Sequence, residues 1–324
     1  MPFQLEIPIF TADIEEHDYR SFGQAAWSEL MDICEEINVA RAQRIRLELN
    51  AVGSYGAGGL TPNVENTINF LHYLRKSKRL KEDQQPAIRI MIRPRASRRD
   101  HGSGFQMGDI QDFQYSHDEL LAMLQSIEDF KGMGQDLFSP ERGDGFVFGV
   151  QRRCRDRLHG LALDVEANKK LINAAHPFPC FLHRAFDAVL STRQDPDIYG
   201  APESEVPPCS VEDLVAAVKG LGFKGVLTSG GWGDATGNLK TLHELGRAAL
   251  KDKEEDRFEL IVGGGVRSDK VWDICVAMKD VAQHRDFWLH SSCFGIHERF
   301  SKMQARTMLK AMSKVDAEFV IDMP

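Results

Sequence analysis

Eight short apolar runs recur along the 324-residue chain, and this repetition constrains the fold more than any other feature. Most of the runs are nearly continuous rather than alternating, which is typical of strands buried on both faces of a parallel sheet. Each ends near glycine or charged residues. The predicted strands are Leu5–Phe10, Arg44–Leu49, Ile88–Arg93, Gly145–Val150, Cys180–Arg184, Gly225–Thr228, Glu259–Val262 and Phe287–His290.

Segments with the helical spacing of apolar residues separate these strands. Ser116 and Glu119 form a capping box, and Ser210 with Asp213 marks another helix start in the same way. The predicted helices are Phe22–Ile37, Val64–Leu74, Ser116–Phe130, Val165–Ala175, Val211–Gly220, Leu239–Leu250, Lys270–Val281 and Phe300–Ser313. This alternation favours an α/β fold, a closed (β/α)₈ TIM-like barrel, over an open doubly wound sheet, which usually has fewer strands.

The chain is predicted to be a single barrel domain. No linker rich in Pro, Ser and Gly divides it, so we assign the barrel to residues 5–293 and a C-terminal helical extension to residues 294–324. The loops over residues 96–114, 132–144 and 191–208 are long enough to be lids or decorations of one barrel.

Composition and charge exclude several classes of function. Apolar residues make up 42% of the chain and the net charge is −8, so we expect a folded protein that does not bind nucleic acid. No apolar run reaches the length of a membrane span, and the first ten residues lack the features of a signal peptide. The six cysteines are scattered, as in a reduced cytoplasmic protein.

Glycines and cationic side chains cluster at the predicted strand ends, where barrels of this kind have their active sites. Bare backbone N–H groups of glycine-rich turns and guanidinium groups both bind anions. The alternative is that the glycines only make tight turns. The predicted anion-binding residues are Arg93, Arg95, Arg184, Thr228, Ser229, Gly230, Gly231, Gly263, Gly264, Gly265, His290 and Ser292.

Two glutamates lie within otherwise apolar runs. Burying a carboxylate is costly, so Glu6 and Glu48 either pair with arginines or serve as a general acid or base. His183 and Asp187 end the fifth predicted strand and complete the predicted catalytic set. These residues would suit a lyase or isomerase that acts on a small phosphorylated or carboxylated metabolite. A Schiff-base mechanism is disfavoured, because no predicted strand end offers a lysine.

Several sequence blocks resemble the CutC copper-homeostasis family. They occur in one order from about Leu5 to Cys293. The blocks are Arg46–Leu49, Gly59–Pro62, Met91–Arg95, Tyr115–Ser116, Gly145–Gly149, His183–Asp187, Leu227–Gly231 and Gly263–Val266. The resemblance implies a TIM-like barrel, cytoplasmic placement, self-association and a role in copper binding or homeostasis.

The sequence departs from this family at the positions of its proposed Cu(I) ligands. The family's first and second strands typically carry cysteines where this chain has Pro8 and Asn50. Cu(I) prefers thiolate and thioether ligands, so copper is suggested by the family alone and the sequence requires no cofactor. Three readings follow: a copper-homeostasis protein, an acid–base enzyme for a small anionic metabolite, and a non-catalytic binding or scaffold barrel.

Overall fold

A closed barrel of eight parallel strands forms the centre of the computed structural model. The structure describes residues 3–11, 24–40, 44–96, 112–153, 161–194, 210–249, 258–282, 287–294 and 300–321. The barrel strands are β1 (Phe3–Thr11), β2 (Ile45–Ala51), β3 (Ala87–Met91), β4 (Gly145–Phe148), β7 (Cys180–Leu182), β8 (Gly225–Thr228), β9 (Glu259–Val262) and β10 (Phe287–His290). They close in the order β1-β10-β9-β8-β7-β4-β3-β2, so the predicted barrel is confirmed.

Helices lie between the strands and cover the outside of the barrel. They are α1 (Gln24–Ala40), α2 (Val64–Lys76), α3 (His117–Lys131), α4 (Val165–Ala175), α5 (Ala185–Gln194), α6 (Val211–Leu221), α7 (Leu239–Ala249), α8 (Val271–Met278) and α9 (Lys302–Ile321). Ser116 and Ser210 accept hydrogen bonds from the third residue of α3 and α6, so the predicted capping box at Ser116 and the predicted helix start at Ser210 are confirmed. Within the described residues, each helix is too short or too polar to cross a lipid bilayer.

Two elements are absent from the sequence-based assignment. A short hairpin of β5 (Gln151–Arg153) and β6 (Leu161–Leu163) follows β4. Helix α5 begins at Ala185, separated by two residues from the end of β7 and directly after the strand predicted over Cys180–Arg184. Its residues 185–192 are all buried, so no amphipathic pattern marks it as a helix.

Three predicted strands are too long at their carboxyl ends. Those predicted to end at Arg93, Val150 and Arg184 stop at Met91, Phe148 and Leu182. The backbone leaves the sheet there to bond with loops. The N–H of Arg93, for example, donates to the Thr61 hydroxyl at 2.7 Å.

Successive side chains of the first strands point alternately to the outside and to the inside of the barrel, and those that point inside are largely polar. Phe3, Leu5 and Ile7 of β1 belong to the large outer core between strands and helices, whereas Glu6 forms contacts across the interior. A separate apolar cluster fills the rest of the interior. It contains Met91, Val147, Phe181, Leu227, Ile261 and Trp288. Charged side chains therefore share the inside of the barrel with a small apolar layer.

Gly145 at the start of β4 offers a test of this packing. A Cβ at Gly145 would lie 2.3 Å from the backbone oxygen of Pro179, which cannot move away without distorting the adjacent strand. We expect Gly145→Ala to lower the free energy of unfolding by about 1–3 kcal/mol in urea denaturation.

Gly220 supplies the matched control, because a Cβ there meets no atom within 4 Å and the residue lies inside α6. Gly220→Ala should be neutral or stabilising by up to about 1 kcal/mol. Equal losses in the two variants would contradict the arrangement of β4 beside β7.

Candidate functional site

The carboxyl ends of the barrel strands surround a cavity of about 320 Å³, which we call the mouth cavity. Its apolar lining includes Phe10, Met91 and Leu227. Its polar lining comprises Glu48, Asn50, Tyr55, His183, Arg184, Arg267, His290, Ser291, Ser292 and the backbone of Gly263–Gly265. The barrel thus brings residues from distant parts of the sequence to one polar pocket.

Glu6 is the ionised centre of the interior. In the parallel register it lies between Arg46 of β2 and His290 of β10. Its Oε2 accepts from Arg46 Nε at 2.5 Å, and its Oε1 is 2.8 Å from His290 Nδ1. Burial alone would raise the pKa of Glu6, but Arg46 and His290 outweigh it and hold the pKa at about 2.

Arg46 pairs two carboxylates across the barrel interior. Its side chain is 1% exposed, and Nη1 donates to Glu259 Oε2 at 2.5 Å while Nε donates to Glu6. Its Cζ lies 3.8 Å from the ring centroid of Trp288, a cation–π contact. These contacts offset part of the cost of burying a cation, and Nη2 has no hydrogen-bond partner among the described residues.

Glu48 projects into the mouth cavity from β2. Its Oε1 accepts from Asn50 Nδ2 at 3.0 Å, whereas its Oε2 is buried with no hydrogen-bond partner among the described residues. Burial first and the nearby charge of Glu6 second raise the pKa of Glu48, despite the opposing effect of His290. Glu48 is therefore a carboxyl group that takes up a proton more readily than an ordinary glutamate, which suits a general acid or base.

His290 lines the mouth cavity at the end of β10. Nδ1 bonds to Glu6, which leaves Nε2 as the ring nitrogen available to a molecule in the cavity. Burial would lower the pKa of His290, but the charges of Glu48 and Glu6 outweigh burial and raise it. Histidine with a carboxylate on one nitrogen is oriented for proton transfer through the other.

The same three residues have a spacing that a metal ion could use. Glu6, Glu48 and His290 each offer a ligand atom within 4.8 Å of the others. Both oxygens of Glu6 already contact Arg46 and His290, and Arg46 supplies the positive charge next to this carboxylate that an ion would otherwise supply. We therefore interpret this cluster as an acid–base group rather than a metal centre.

Asp187 lies outside the mouth cavity and holds residues at its edge in place. Its carboxylate accepts from Ser229 N at 3.0 Å and from Arg184 Nε at 3.0 Å, and it also bonds the hydroxyls of Thr228 and Ser229. It is 3% exposed and does not line the mouth cavity. Asp187, Thr228 and Ser229 therefore fix the end of β8 and the position of Arg184 rather than meeting a ligand.

Arg93 and Arg95 lie apart from the anion-binding candidates that line the cavity. Arg93 donates to the carbonyls of Ala57 and Gly59 and to Asp112, so its guanidinium fastens the loop after β2. Arg95 donates to Glu119 Oε1 at 2.6 Å. Neither side chain lines the mouth cavity.

His183 is held in its neutral form. Burial first, then Arg93 and Arg184, lower the pKa of His183 well below its ordinary value. Its Nδ1 has no hydrogen-bond partner among the described residues, and the ring lines the mouth cavity. It can therefore bind or polarise a ligand, but it does not serve as a cationic acid at neutral pH.

A positive rim surrounds the cavity entrance. Gly264 and Gly265 have φ of +87° and +71°, values that L side chains rarely adopt, and a Cβ at Gly264 would lie 3.5 Å from the guanidinium of Arg184. Ser292 lines the cavity beside them, whereas Gly230 packs against α7 and Gly231 against Ser191. Some of the predicted anion-binding residues, such as Arg184 and Gly264, therefore line the cavity, whereas others, such as Gly230 and Gly231, pack outside it.

Arg267 lines the mouth cavity but is not among the residues predicted from the strand ends. It is exposed, lines the mouth cavity, and donates to the Tyr55 hydroxyl at 2.9 Å across the entrance. It follows the Gly263–Val266 turn directly, and a cationic residue next to a glycine-rich turn at a strand end is the sequence signal that indicates it.

Glu48→Gln is expected to change the pH dependence of stability. Because the folded-state pKa of Glu48 lies above its ordinary value of 4.5, the wild type loses stability as pH rises from that value through the folded pKa. The substitution removes this loss and also lowers the pKa of His290. The free energy of unfolding of Glu48→Gln relative to wild type should rise by on the order of 1 kcal/mol between acidic and alkaline pH. A difference that stays constant with pH in urea titrations would contradict the assignment.

The CutC family matches residues 31–198, just over half of the chain. A copper homeostasis protein cutC homolog of Drosophila melanogaster is 26% identical over 74% of this chain and 68% of its own length. A CutC family protein of Caulobacter vibrioides is 32% identical over 57% of this chain and 54% of its own.

Solved structures agree on the fold. A CutC crystal structure from Streptococcus agalactiae superposes with a TM-score of 0.51 at 20% identity, covering 89% of this chain and 97% of its own. Rubisco from Pyrococcus horikoshii, at a TM-score of 0.52 and 11% identity, covers 97% of this chain and 60% of its own and shares only the barrel. With its motifs in order along a barrel and its family match over residues 31–198, this chain belongs to the CutC family.

Proposed function

We propose that this protein binds a small anionic metabolite in the mouth cavity and transfers protons to and from it. The observation that carries the proposal is the buried Oε2 of Glu48, which has no hydrogen-bond partner among the described residues and lies beside His290. A buried carboxylate oxygen without a partner costs free energy, and such costs concentrate where a ligand supplies the missing partner.

The charges around the entrance favour an anion. Arg184 and Arg267 line the cavity together with His290, and Glu48 is the one acidic side chain among its described lining residues. Gly264 has no Cβ and lines the cavity next to Arg184, so carboxylate or phosphate oxygens can approach its backbone closely. At about 320 Å³ the cavity is near the lower end for ligand sites, so a small metabolite fits it.

The two proton-transferring groups have different roles. Glu48 Oε2 removes a proton from the bound molecule, and His290 Nε2 returns one or protonates a leaving oxygen. Glu6 holds the His290 ring through Nδ1 and stabilises its charged form. Removal and return of a proton are the steps of an isomerase, and removal with loss of a leaving group is the step of a lyase.

The proposal is tested by finding a ligand and then following a proton. A thermal-shift screen of small phosphorylated and carboxylated metabolites identifies compounds that stabilise the folded protein. Hits are then followed by NMR in D₂O for deuterium incorporation or conversion. Glu48→Gln should slow exchange or turnover by about 10²–10⁴-fold while changing Kd by only a few-fold.

The control is Glu166→Gln, because Glu166 is 80% exposed on α4 and should leave both binding and exchange unchanged. Deuterium exchange that continues at the wild-type rate in Glu48→Gln would show that Glu48 is not the group that removes the proton. A screen in which no anionic compound stabilises the wild type would overturn the proposal as a whole.

Copper homeostasis is the second candidate, favoured by the names of the relatives from Drosophila melanogaster and Caenorhabditis elegans. The mouth cavity does not fit Cu(I), because Met91 supplies the one sulfur among its described lining residues. Cys293 lies outside that cavity, with Sγ 3.7 Å from Met308 Sδ, and burial raises the pKa of its thiol to about 12. Cys154 and Cys209 lie outside the described residues.

Competition with a Cu(I) chelator separates the two candidates. We expect the wild type to leave copper with the chelator, and Pro8→Cys/Asn50→Cys, which places two thiols on the cavity wall, to withdraw it. Tight binding by the wild type that is lost in Cys293→Ser would instead support the copper role and a different site.

Cytoplasmic placement and self-association remain parts of the proposal. Cys34, Cys180, Cys275 and Cys293 are buried and form no disulfide among the described residues, which suits a reducing compartment. Self-association follows from the family resemblance, and sedimentation of the full chain tests it.

A further inference from the structure

Glu259 lies at the amino end of β9, at the opposite end of the barrel interior from the mouth cavity. Its side chain is 22% exposed, and its Oε2 accepts from Arg46 Nη1 at 2.5 Å. Its Oε1 lies 3.8 Å from Arg89 Nη2. Glu259 therefore connects the base of the barrel to the buried arginine that also binds Glu6.

The contacts continue without a break to the mouth. Arg46 Nε donates to Glu6 Oε2 at 2.5 Å, and Glu6 Oε1 lies 2.8 Å from His290 Nδ1. We propose that Glu259 is a positioning residue, which acts on His290 from the base of the barrel through Arg46 and Glu6. The inference rests on the proposed function of His290 as a proton-transferring group.

The physical basis is the sharing of one buried cation between two carboxylates. Arg46 is 1% exposed and stacks on Trp288, so it cannot turn to water when a partner is lost. Without the charge of Glu259, Arg46 interacts more strongly with Glu6. The hydrogen bond between Glu6 and His290 then weakens. The negative charge of Glu259 also no longer offsets the positive charge of Arg46. The repulsion between Arg46 and a protonated His290 ring therefore increases, which disfavours protonation of the ring.

Other charged groups also face His290, and their contributions must stay constant in a test. Glu6 approaches from β1, Glu48 and Arg46 from β2, and His183 from the end of β7. A substitution at Glu259 leaves all four in place.

The experiment measures the titration of His290 in the free protein by NMR, with Glu259→Gln compared with wild type. A His290→Asn sample assigns the resonance. Glutamine keeps the shape of the side chain and removes its charge. We expect the His290 midpoint to move to lower pH by about half a pH unit or more.

The matched control is Glu119→Gln. Glu119 is 21% exposed and pairs with Arg95 at 2.6 Å, so it resembles Glu259 in burial and pairing but lies on helix α3, outside the barrel interior. Its substitution should leave the His290 midpoint unchanged.

A purely structural role for Glu259 predicts a different result. Glu259→Gln would then lower the thermal midpoint while leaving the His290 titration at its wild-type position, which overturns the proposal. If Glu259→Gln does not fold, Glu259→Asp is measured instead, since its shorter side chain stretches the contact with Arg46. A smaller shift in the same direction supports the proposal, and an unchanged midpoint overturns it.

This titration needs no ligand, so its outcome is independent of the metabolite screen. A shifted midpoint with no deuterium exchange would keep the positioning role and reject the proposed chemistry.

Discussion

A single buried arginine determines the arrangement of the barrel interior. Arg46 is enclosed among Glu6, Glu259 and Trp288 with almost no exposure to water. An unpaired guanidinium in that position would be strongly destabilising, so both carboxylates are required beside it. Because Glu6 must be ionised for this pairing, its second oxygen is a permanent acceptor for His290. The proposed chemistry at the mouth therefore depends on charge compensation deep inside the fold.

The parallel register converts this interior arrangement into a site. Glu6, Arg46 and His290 lie on three adjacent strands at one level, so they meet without any specialised loop. Glu48, one inward position further along β2, reaches the cavity with an oxygen that no described residue satisfies. Asp187 then holds the end of β8 and the guanidinium of Arg184 beside Gly264. Acid–base groups on the floor and cationic groups at the rim form one pocket.

Much of this could be predicted from the sequence, because the signals are local or periodic. Eight apolar runs alternate with helices, and two glutamates inside such runs must have partners. The predicted site residues that do not line the mouth cavity, such as Arg93 and Asp187, are positioned by long-range contacts. Nothing near Arg93 in the sequence shows that the carbonyls of Ala57 and Gly59 occupy its guanidinium. Likewise, the position of Asp187 behind β8 depends on helix α5, in which residues 185–192 are all buried and show no amphipathic pattern.

The most direct test is the pH titration of the His290 ring in the wild type and in Glu48→Gln. The account predicts that Glu6 and Glu48 raise the midpoint above the ordinary value of 6.5 in the wild type, and that the substitution lowers it. A wild-type midpoint at or below 6.5 that does not respond to Glu48→Gln would contradict the account, because the two groups would then not share a site.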